Sequence, residues 1–314
     1  MTNEIPFKKI WWEDPLFKSS TAFLAWFVFG LSVLLVFILG KFSLPSIAQF
    51  GLHFFSSTEW NPVTENFGAL PFIYGTIVSS LIAILIAVPL SLGVALYLSE
   101  LGPMWIRNPL NFLIELLAAI PSVIYGLWGI FVLVPFVRKY VEPFLSACFG
   151  FHPLFQGPMY GIGMLSAGII LSIMIIPTIS SISREVFSLV PASLKEGAFA
   201  IGATRWEMIR LVMLPYGRSG VLGAVILGLG RALGETMAVT MVIGNRPDIA
   251  ISLFAPAHTM SSVIANEFSE ATTSLYAASL MEIGLALLVL TLALNILARM
   301  LVWSFYGKAK GTRA

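Results

Sequence analysis

Six stretches of this chain are long and apolar enough to cross a bilayer: about Thr21 to Gly40, Phe72 to Ser99, Asn111 to Val137, Pro158 to Ser183, Ser219 to Gly244 and Ala277 to Trp303. Each meets the roughly 20 residues a helix needs to span a hydrocarbon core about 30 Å thick, and tilt or emergence from the membrane absorbs the excess in the longer ones. No water is available in that core to bind backbone N–H and C=O groups, so the stretches must close their own hydrogen bonds as helices. The 314 residues are 58% hydrophobic and only 11% charged, far from the proportions of a soluble domain. The expected fold class is all-α and polytopic, with six transmembrane helices. Pro89, Pro121 and Pro177 fall in or near the second, third and fourth, where they are expected to bend the helix while neighbouring helices satisfy the freed carbonyls.

Charge then excludes some classes and orients the chain. A formal net charge of +2 is too small and too dispersed for a nucleic-acid partner. The single cysteine, Cys148, rules out an internal disulfide and a Cys-rich metal site, and His53, His152 and His258 are too scattered to make a ligand set. Lys8, Lys9 and Lys18 precede the first apolar run. That is the polarity of a signal peptide, but the run exceeds a signal core of about 7–15 residues and no small-residue cleavage site follows, so a retained helix is expected. With the N-terminus in the cytoplasm, only Lys41, Arg138, Lys139 and Arg246 of the 18 Lys and Arg face outside and Arg231 lies within the membrane. This asymmetry obeys the positive-inside rule and puts both termini in the cytoplasm. The external loop from Arg246 to Ser274 carries Asp248, Glu267 and Glu270.

Within the fifth apolar stretch, residues 217–245 read GRSGVLGAVILGLGRALGETMAVTMVIGN and hold Arg231 and Glu235. A charge at membrane depth costs at least about 2.5–3.5 kcal/mol on insertion scales, so two of them in one segment call for a function. At helical spacing Arg231 and Glu235 are i and i+4, with Ala238 at i+7, and all three are expected on one face turned away from lipid. A guanidinium offers a charged planar fork suited to oxyanions, while a carboxylate one turn on can balance it when no anion is bound. The competing reading is an Arg–Glu pair that only locks helix packing. Gly220, Gly223, Ala224, Gly228, Gly230, Gly234 and Ala238 leave room for a close helix neighbour, with Gly230-x-x-x-Gly234 at the spacing typical of such contacts. Glu115 and Glu282 also lie in apolar sequence with no basic residue at helical spacing, and hydrogen bonding is their expected role.

One connection is too long to be a simple loop. Residues 184–218 contain Ser193-x-x-Glu196 and Thr204-x-x-Glu207, each with the spacing of a capping box in which hydroxyl and carboxylate take up orphan N–H groups. Two short helices are predicted, with a turn near Gly202, and Pro215 is expected to end the second. Such a pair across the bundle's cytoplasmic end would offer a partner a surface.

The stretch EGAFAIGATRWEMIRLVMLP resembles the EAA loop of ABC-importer permeases, with Glu196, Gly202, Leu214 and Pro215 at the matching positions. It departs from that pattern at Gly197, in place of an alanine, and at Val212, in place of isoleucine. The segments FGALPFIYGTIVSSLIAILIAVPLSLGVALYLSE, IELLAAIPSVIYGLWGIFVLVP and GLGRALGETMAVTMVIGN look like the permease subunits of phosphate ABC importers from about Phe67 onward. The resemblance implies a six-helix ABC-importer permease (MetI-like) fold in the inner membrane. It implies as partners a homologous second permease subunit, a cytoplasmic ATP-binding subunit dimer and an external phosphate-binding protein, and it implies that Arg231 and Glu235 matter for phosphate passage. The chain divides accordingly into residues 1–66, holding the N-terminus, first helix and external loop, a permease core at 67–305 with its coupling loop at 184–218, and a cytoplasmic tail at 306–314.

No G-x-x-x-x-G-K-[ST] loop occurs, because Gly40-Lys41 is followed by Phe42 and Gly307-Lys308 by Ala309, so ATP is expected on a partner subunit and no cofactor on this chain. The loop at Glu196 would then follow the ATPase. The alternatives are an ABC permease for another oxyanion or small solute and, from a different class, an ion-coupled secondary transporter built on Arg231 and Glu235. A membrane-embedded enzyme is disfavoured by the lack of a metal set or a nucleophile with its base.

Overall fold

The computed structural model describes residues 13–310; Lys8, Lys9 and the last four residues of the expected tail lie outside the described residues. A long helix, α1 (Glu13–Phe50), leads through a short 3-10 turn to an antiparallel hairpin of β1 (Trp60–Asn61) and β2 (Asn66–Phe67), in which Trp60 faces Phe67. Next come α2 (Leu70–Leu96), α3 (Met104–Ala119), and a run made of α4 (Ser122–Trp128), α5 (Val134–Phe136) and α6 (Glu142–Phe149). After α7 (Met164–Ser188) stand the short α8 (Ala192–Ala200) and α9 (Arg205–Met208). The chain ends with α10 (Leu214–Leu233), α11 (Met237–Ile243), α12 (Met260–Glu267) and α13 (Ser274–Lys310). Six helical runs, Phe17–Phe55, Leu70–Leu101, Ser122–Phe149, Met164–Ser188, Arg205–Leu233 and Ser274–Met300, are long and apolar enough to cross a membrane.

The third run corrects the expected boundaries. Asn111 belongs to α3, which buries none of its residues and stops where Ile120 becomes extended. Pro121 forces this, since its ring disfavours the α region for the residue before it, and the spanning helix restarts at Ser122. Arg138 and Lys139, expected in an external loop, lie inside this third run, and Lys41 lies inside α1.

Prolines act on these helices in a way that hydropathy does not reveal. Four π-helical turns, at Tyr97–Leu101, Gly129–Leu133, Val137–Val141 and Ile209–Met213, each end two residues before a proline: Pro103, Pro135, Pro143 and Pro215. In the last of them the Leu214 N–H reaches back to the Ile209 carbonyl, and this wider turn accommodates a ring that would collide with the preceding turn of a regular helix. Pro215 therefore does not end a helix. It sits in the first turn of α10, inside a helical run that is continuous from Arg205 to Leu233.

The core is built around α7, whose Ile170, Leu171, Met174, Ile175 and Ile179 are fully buried against Ala83 and Ala87 of α2, Ala224 of α10 and Val242 of α11. Small residues set the helix spacing there: a Cβ on Gly168 would lie 2.4 Å from Ile82, and one on Gly228 would lie 2.8 Å from Ile179. Under α8, a separate cluster holds Ala95, Phe187, Val190, Met208, Ile209 and Met213. In another cluster, Phe54, Phe72 and Tyr276 bury Phe67 of the hairpin, with the rings of Phe67 and Tyr276 stacked at 5.2 Å. Trp60 Nε1 donates to Glu267 Oε2 at 2.7 Å, and the Tyr276 hydroxyl donates to the same oxygen. Helix α1 stands apart, packed along α13 with Ser46 Oγ and Ser279 Oγ 3.1 Å apart, while its apolar side chains from Phe23 to Phe37 are exposed.

Candidate functional site

Arg231 lies in the last turn of α10, half-buried, and its Nη1 donates to Thr178 Oγ1 of α7 at 3.2 Å. The helix ends at Leu233 and α11 begins at Met237, so Glu235 falls in a non-helical break. The expectation that Arg231, Glu235 and Ala238 share one helical face is thus corrected. Glu235 turns the other way: its Oε1 accepts from the Ala238 N–H at 3.2 Å, and its carbonyl accepts from Ser261 Oγ of α12 at 2.7 Å. The first N–H groups of a helix have no intrahelical acceptor, and this carboxylate supplies one to α11. Among the described residues, no ion pair joins Arg231 to Glu235. Ala238 is fully buried, and a Cβ on Gly126 would approach its Cα to 3.2 Å, which fixes α11 closely against α4.

Arg231 instead opens into a cavity of ≈ 630 Å³, whose polar lining comprises Thr178, Ser219, Asn295, Arg299 and Arg231 itself. Glu235 is not part of this wall, and among the described residues no carboxylate is. The glycines of α10 divide between two faces. Gly220 is pressed against Val186 of α7, where a Cβ would come to 2.4 Å, whereas a Cβ on Gly223 or Gly230 would meet nothing within 4 Å beyond its own helix, and both form cavity wall. Gly230-x-x-x-Gly234 is therefore not a close contact within the chain, because Gly234 has already left the helix. The predicted tight approach is made by Gly220 and Gly228 on the α7 side.

In the 184–218 segment one capping box forms and the other does not. Thr204 caps α9: the Glu207 N–H donates to Thr204 Oγ1 at 3.3 Å, and the Thr204 N–H donates to Glu207 Oε2 at 2.8 Å. Ser193 lies inside α8, which starts after Pro191 without a side-chain cap, so Glu196 is an exposed helical residue rather than half of a box. The turn near Gly202 is present, with φ +86°, and the Gly202 N–H donates to the Phe199 carbonyl at 2.9 Å. Leu214 and Pro215 belong to the spanning helix, so the segment offers one surface helix, α8, and a turn instead of two separate helices. An ion pair between Lys195 of α8 and Glu100 ties that helix to the end of the second run. Leu194, Phe199, Ile201 and Trp206 are exposed around it.

The fold also joins residues that the sequence does not pair. Asn295 and Arg299 stand at i and i+4 near the end of α13, where a polar pair in apolar sequence is itself a legible signal of a lined cavity. Thr178 gives no such signal. Glu142 is buried, with both carboxylate oxygens accepting from the Gly161 N–H at 3.1 and 3.0 Å, a pairing between elements that spacing cannot show. His258 is buried at the foot of α12, with Nδ1 and Ser262 Oγ 2.6 Å apart, and burial pushes its pKa down to about 4. Glu115 shares a small cavity with Arg184. Glu282 is buried, and its Oε2 has no partner among the described residues.

Residues 87–303 match the family described as the binding-protein-dependent transport system inner membrane component. The phosphate transport system permease protein PstC of Mesorhizobium japonicum is 51% identical over 290 residues, covering 91% of this chain and 89% of that one. Its counterpart in Xylella fastidiosa is 55% identical over 256 residues, covering 80% and 79%. Among solved structures, the chain resembles one in an inward-facing MetNI methionine ABC transporter, with TM-score 0.54 and 18% identity over 76% of this chain and 94% of that chain. It also resembles one in a bacterial alginate ABC transporter, with TM-score 0.58 and 18% identity over 94% and 96%. These two likenesses concern the fold alone. The six spanning runs and the extent of these matches place the chain in the binding-protein-dependent transport system inner membrane component family, as a multi-pass inner-membrane protein of the PstC phosphate permease group.

Proposed function

We propose that this chain is the permease subunit of an ATP-driven importer of inorganic phosphate, and that Arg231 is the anion contact on the path. The observation that carries the site assignment is the wall of the Arg231 cavity, which presents two guanidiniums, an amide and two hydroxyls and no carboxylate. A permanently charged fork in a partly dehydrated cavity attracts an oxyanion more strongly than it would in water, and its geometry suits two oxygens at once. Thr178 holds one arm of that fork, which leaves the remaining donors for a ligand. Glu235 keeps a supporting role: its bonds to α11 and α12 fix the break that follows Arg231 and so set where α10 ends.

The chain has no phosphate-cradling loop of its own, so the energy for transport comes from a cytoplasmic ATPase dimer seated on α8 and the Gly202 turn. Glu196 is exposed there, and the apolar residues around it suit such a contact. A homologous second permease completes the passage and an external binding protein delivers phosphate, with both termini of this chain in the cytoplasm. No cofactor is held by this chain. Transport then proceeds by alternating access, α8 moving with the ATPase as a rigid element.

ATP-dependent uptake of labelled phosphate into vesicles holding the assembled complex tests this reading. Arg231→Gln is expected to abolish uptake, by at least about 100-fold if two charge-assisted hydrogen bonds are lost at 1.5–3 kcal/mol each, while the complex still copurifies. Survival of uptake in that variant returns Arg231 to helix packing.

A further inference from the structure

We propose that Arg299 is a second oxyanion contact on the same passage, placed nearer the α8 end and receiving the anion from Arg231. This rests on the assignment of Arg231 as the first contact. Both guanidiniums line one cavity, although they come from helices remote in sequence. Ser219, near the start of α10, and Arg231, near its end, bound the cavity along that helix. At 1.5 Å per residue the separation is about 18 Å. Helix α10 leaves the α8 end of the bundle and α13 returns toward it, so Arg299, far along α13, sits by the Ser219 end of the cavity. Arg299 makes no ion pair or hydrogen bond among the described residues, and Asn295 stands one turn before it on the same wall.

A single fixed cation in the membrane makes an anion well with a barrier on its exit side. Conduction needs binding strong enough to admit the ion and sites numerous enough to let it go. A second guanidinium toward the exit lowers that barrier, because an anion between the two is attracted to both. Between them the wall consists of Gly223 and Gly230, which add no side chain, and of the apolar side chains of Ile226 and Leu227. The ligand class is a tetrahedral oxyanion with several acceptor oxygens, able to engage one guanidinium before releasing the other. The arrangement predicts that loss of Arg299 slows turnover more than it weakens entry.

The test uses the assembled complex carrying Ser219→Cys as a reporter at the cavity mouth, in a Cys148→Ser background. Thiosulfonate reagents of opposite charge report the local field. With Arg299 present, the anionic reagent should modify the reporter thiol faster than the cationic one, and Arg299→Gln should reduce that rate ratio at least about tenfold, since one unit charge roughly 10 Å away at an effective dielectric of about 40 acts with opposite sign on the two reagents. Inorganic phosphate should slow the anionic reagent in the parent and less so in Arg299→Gln. In uptake assays without the reporter, Arg299→Gln should lower the maximal rate severalfold with a smaller rise in KM, and Arg299→Lys should restore part of the rate.

Phosphate protection that is the same in the parent and in Arg299→Gln, or an unchanged reagent ratio, overturns the proposal even if uptake falls, because a purely structural arginine would add to the field at the reporter without holding the anion. If Arg231→Gln abolishes uptake while Arg299→Gln alters neither the ratio nor the kinetics, the second contact is wrong and the first stands. If Arg231→Gln leaves uptake intact while Arg299→Gln shifts the ratio and slows turnover, the first contact is wrong and Arg299 remains an anion site.

Discussion

At the scale of single residues, the charged groups of this protein are governed by what packs around them more than by their sequence neighbours. Arg231 and Glu235 are four apart, yet one faces a cavity and the other ties a helix start. His258 is the sharper case. It lies where a Cβ on Gly75 would meet the His258 carbonyl at 2.1 Å, so α2 presses directly on its backbone, and its ring is buried against Phe72 at 5.4 Å. Burial favours the neutral ring and lowers its pKa from 6.5 to about 4. The stabilisation is fully present above pH 6.5 and is lost as pH falls toward 4, because the unfolded chain binds a proton that the folded one refuses. The slope approaches about 1.4 kcal/mol per pH unit within that window. Thermal unfolding of the purified complex from pH 7.5 to 4.5 should show this loss, and His258→Gln should flatten the dependence. Equal slopes for the two proteins would mean that His258 takes up its proton as readily folded as unfolded.

At the scale of elements, the turn between α8 and α9 is the point where a small change should have a functional reading. Gly202 has φ +86° and nothing within 4 Å of its missing side chain, so substitution there is penalised by backbone strain and not by collision. That strain is about 1–2 kcal/mol for an ordinary residue and less for asparagine, which tolerates the left-handed region. Gly202→Ala should therefore weaken ATPase copurification or transport-coupled ATP hydrolysis more than Gly202→Asn does, whereas a steric mechanism would rank the larger asparagine as the more damaging. Thr204→Ala removes the cap of α9, at a cost of about 1 kcal/mol. It should loosen the same turn without touching the Arg231 cavity, so coupled hydrolysis should fall while the charge preference of reagents in the cavity stays fixed.

For the whole molecule, the division of labour is the feature to test. The chain presents a cavity with a cationic wall and a surface helix, with no nucleotide loop of its own. Reconstituted alone, under any ion gradient, it should move no phosphate, and uptake should appear only when the second permease, the ATPase and ATP are supplied. Gradient-driven uptake by the isolated chain would instead identify an ion-coupled transporter. The unpartnered faces fit this division: α1 exposes apolar residues along most of its length, and the cavity wall of α10 and α13 opens outward from the chain.

Hydropathy alone determined that the protein is helical and crosses the membrane six times, because apolar length is a property of the chain that no packing arrangement can undo. The same holds for the Thr204–Glu207 cap and the Gly202 turn, which involve residues within a few positions of one another. Local proline chemistry, which hydropathy does not register, took Ile120 out of the helix ahead of Pro121 and carried the fifth run through Pro215 on a π turn. Tertiary structure decided the rest. Arg231 joined Thr178, Asn295 and Arg299 because α7, α10 and α13 converge, and Glu235 was drawn away by α11 and α12. Those partners lie many residues apart, and sequence spacing carries no information about which distant side chains will share a cavity.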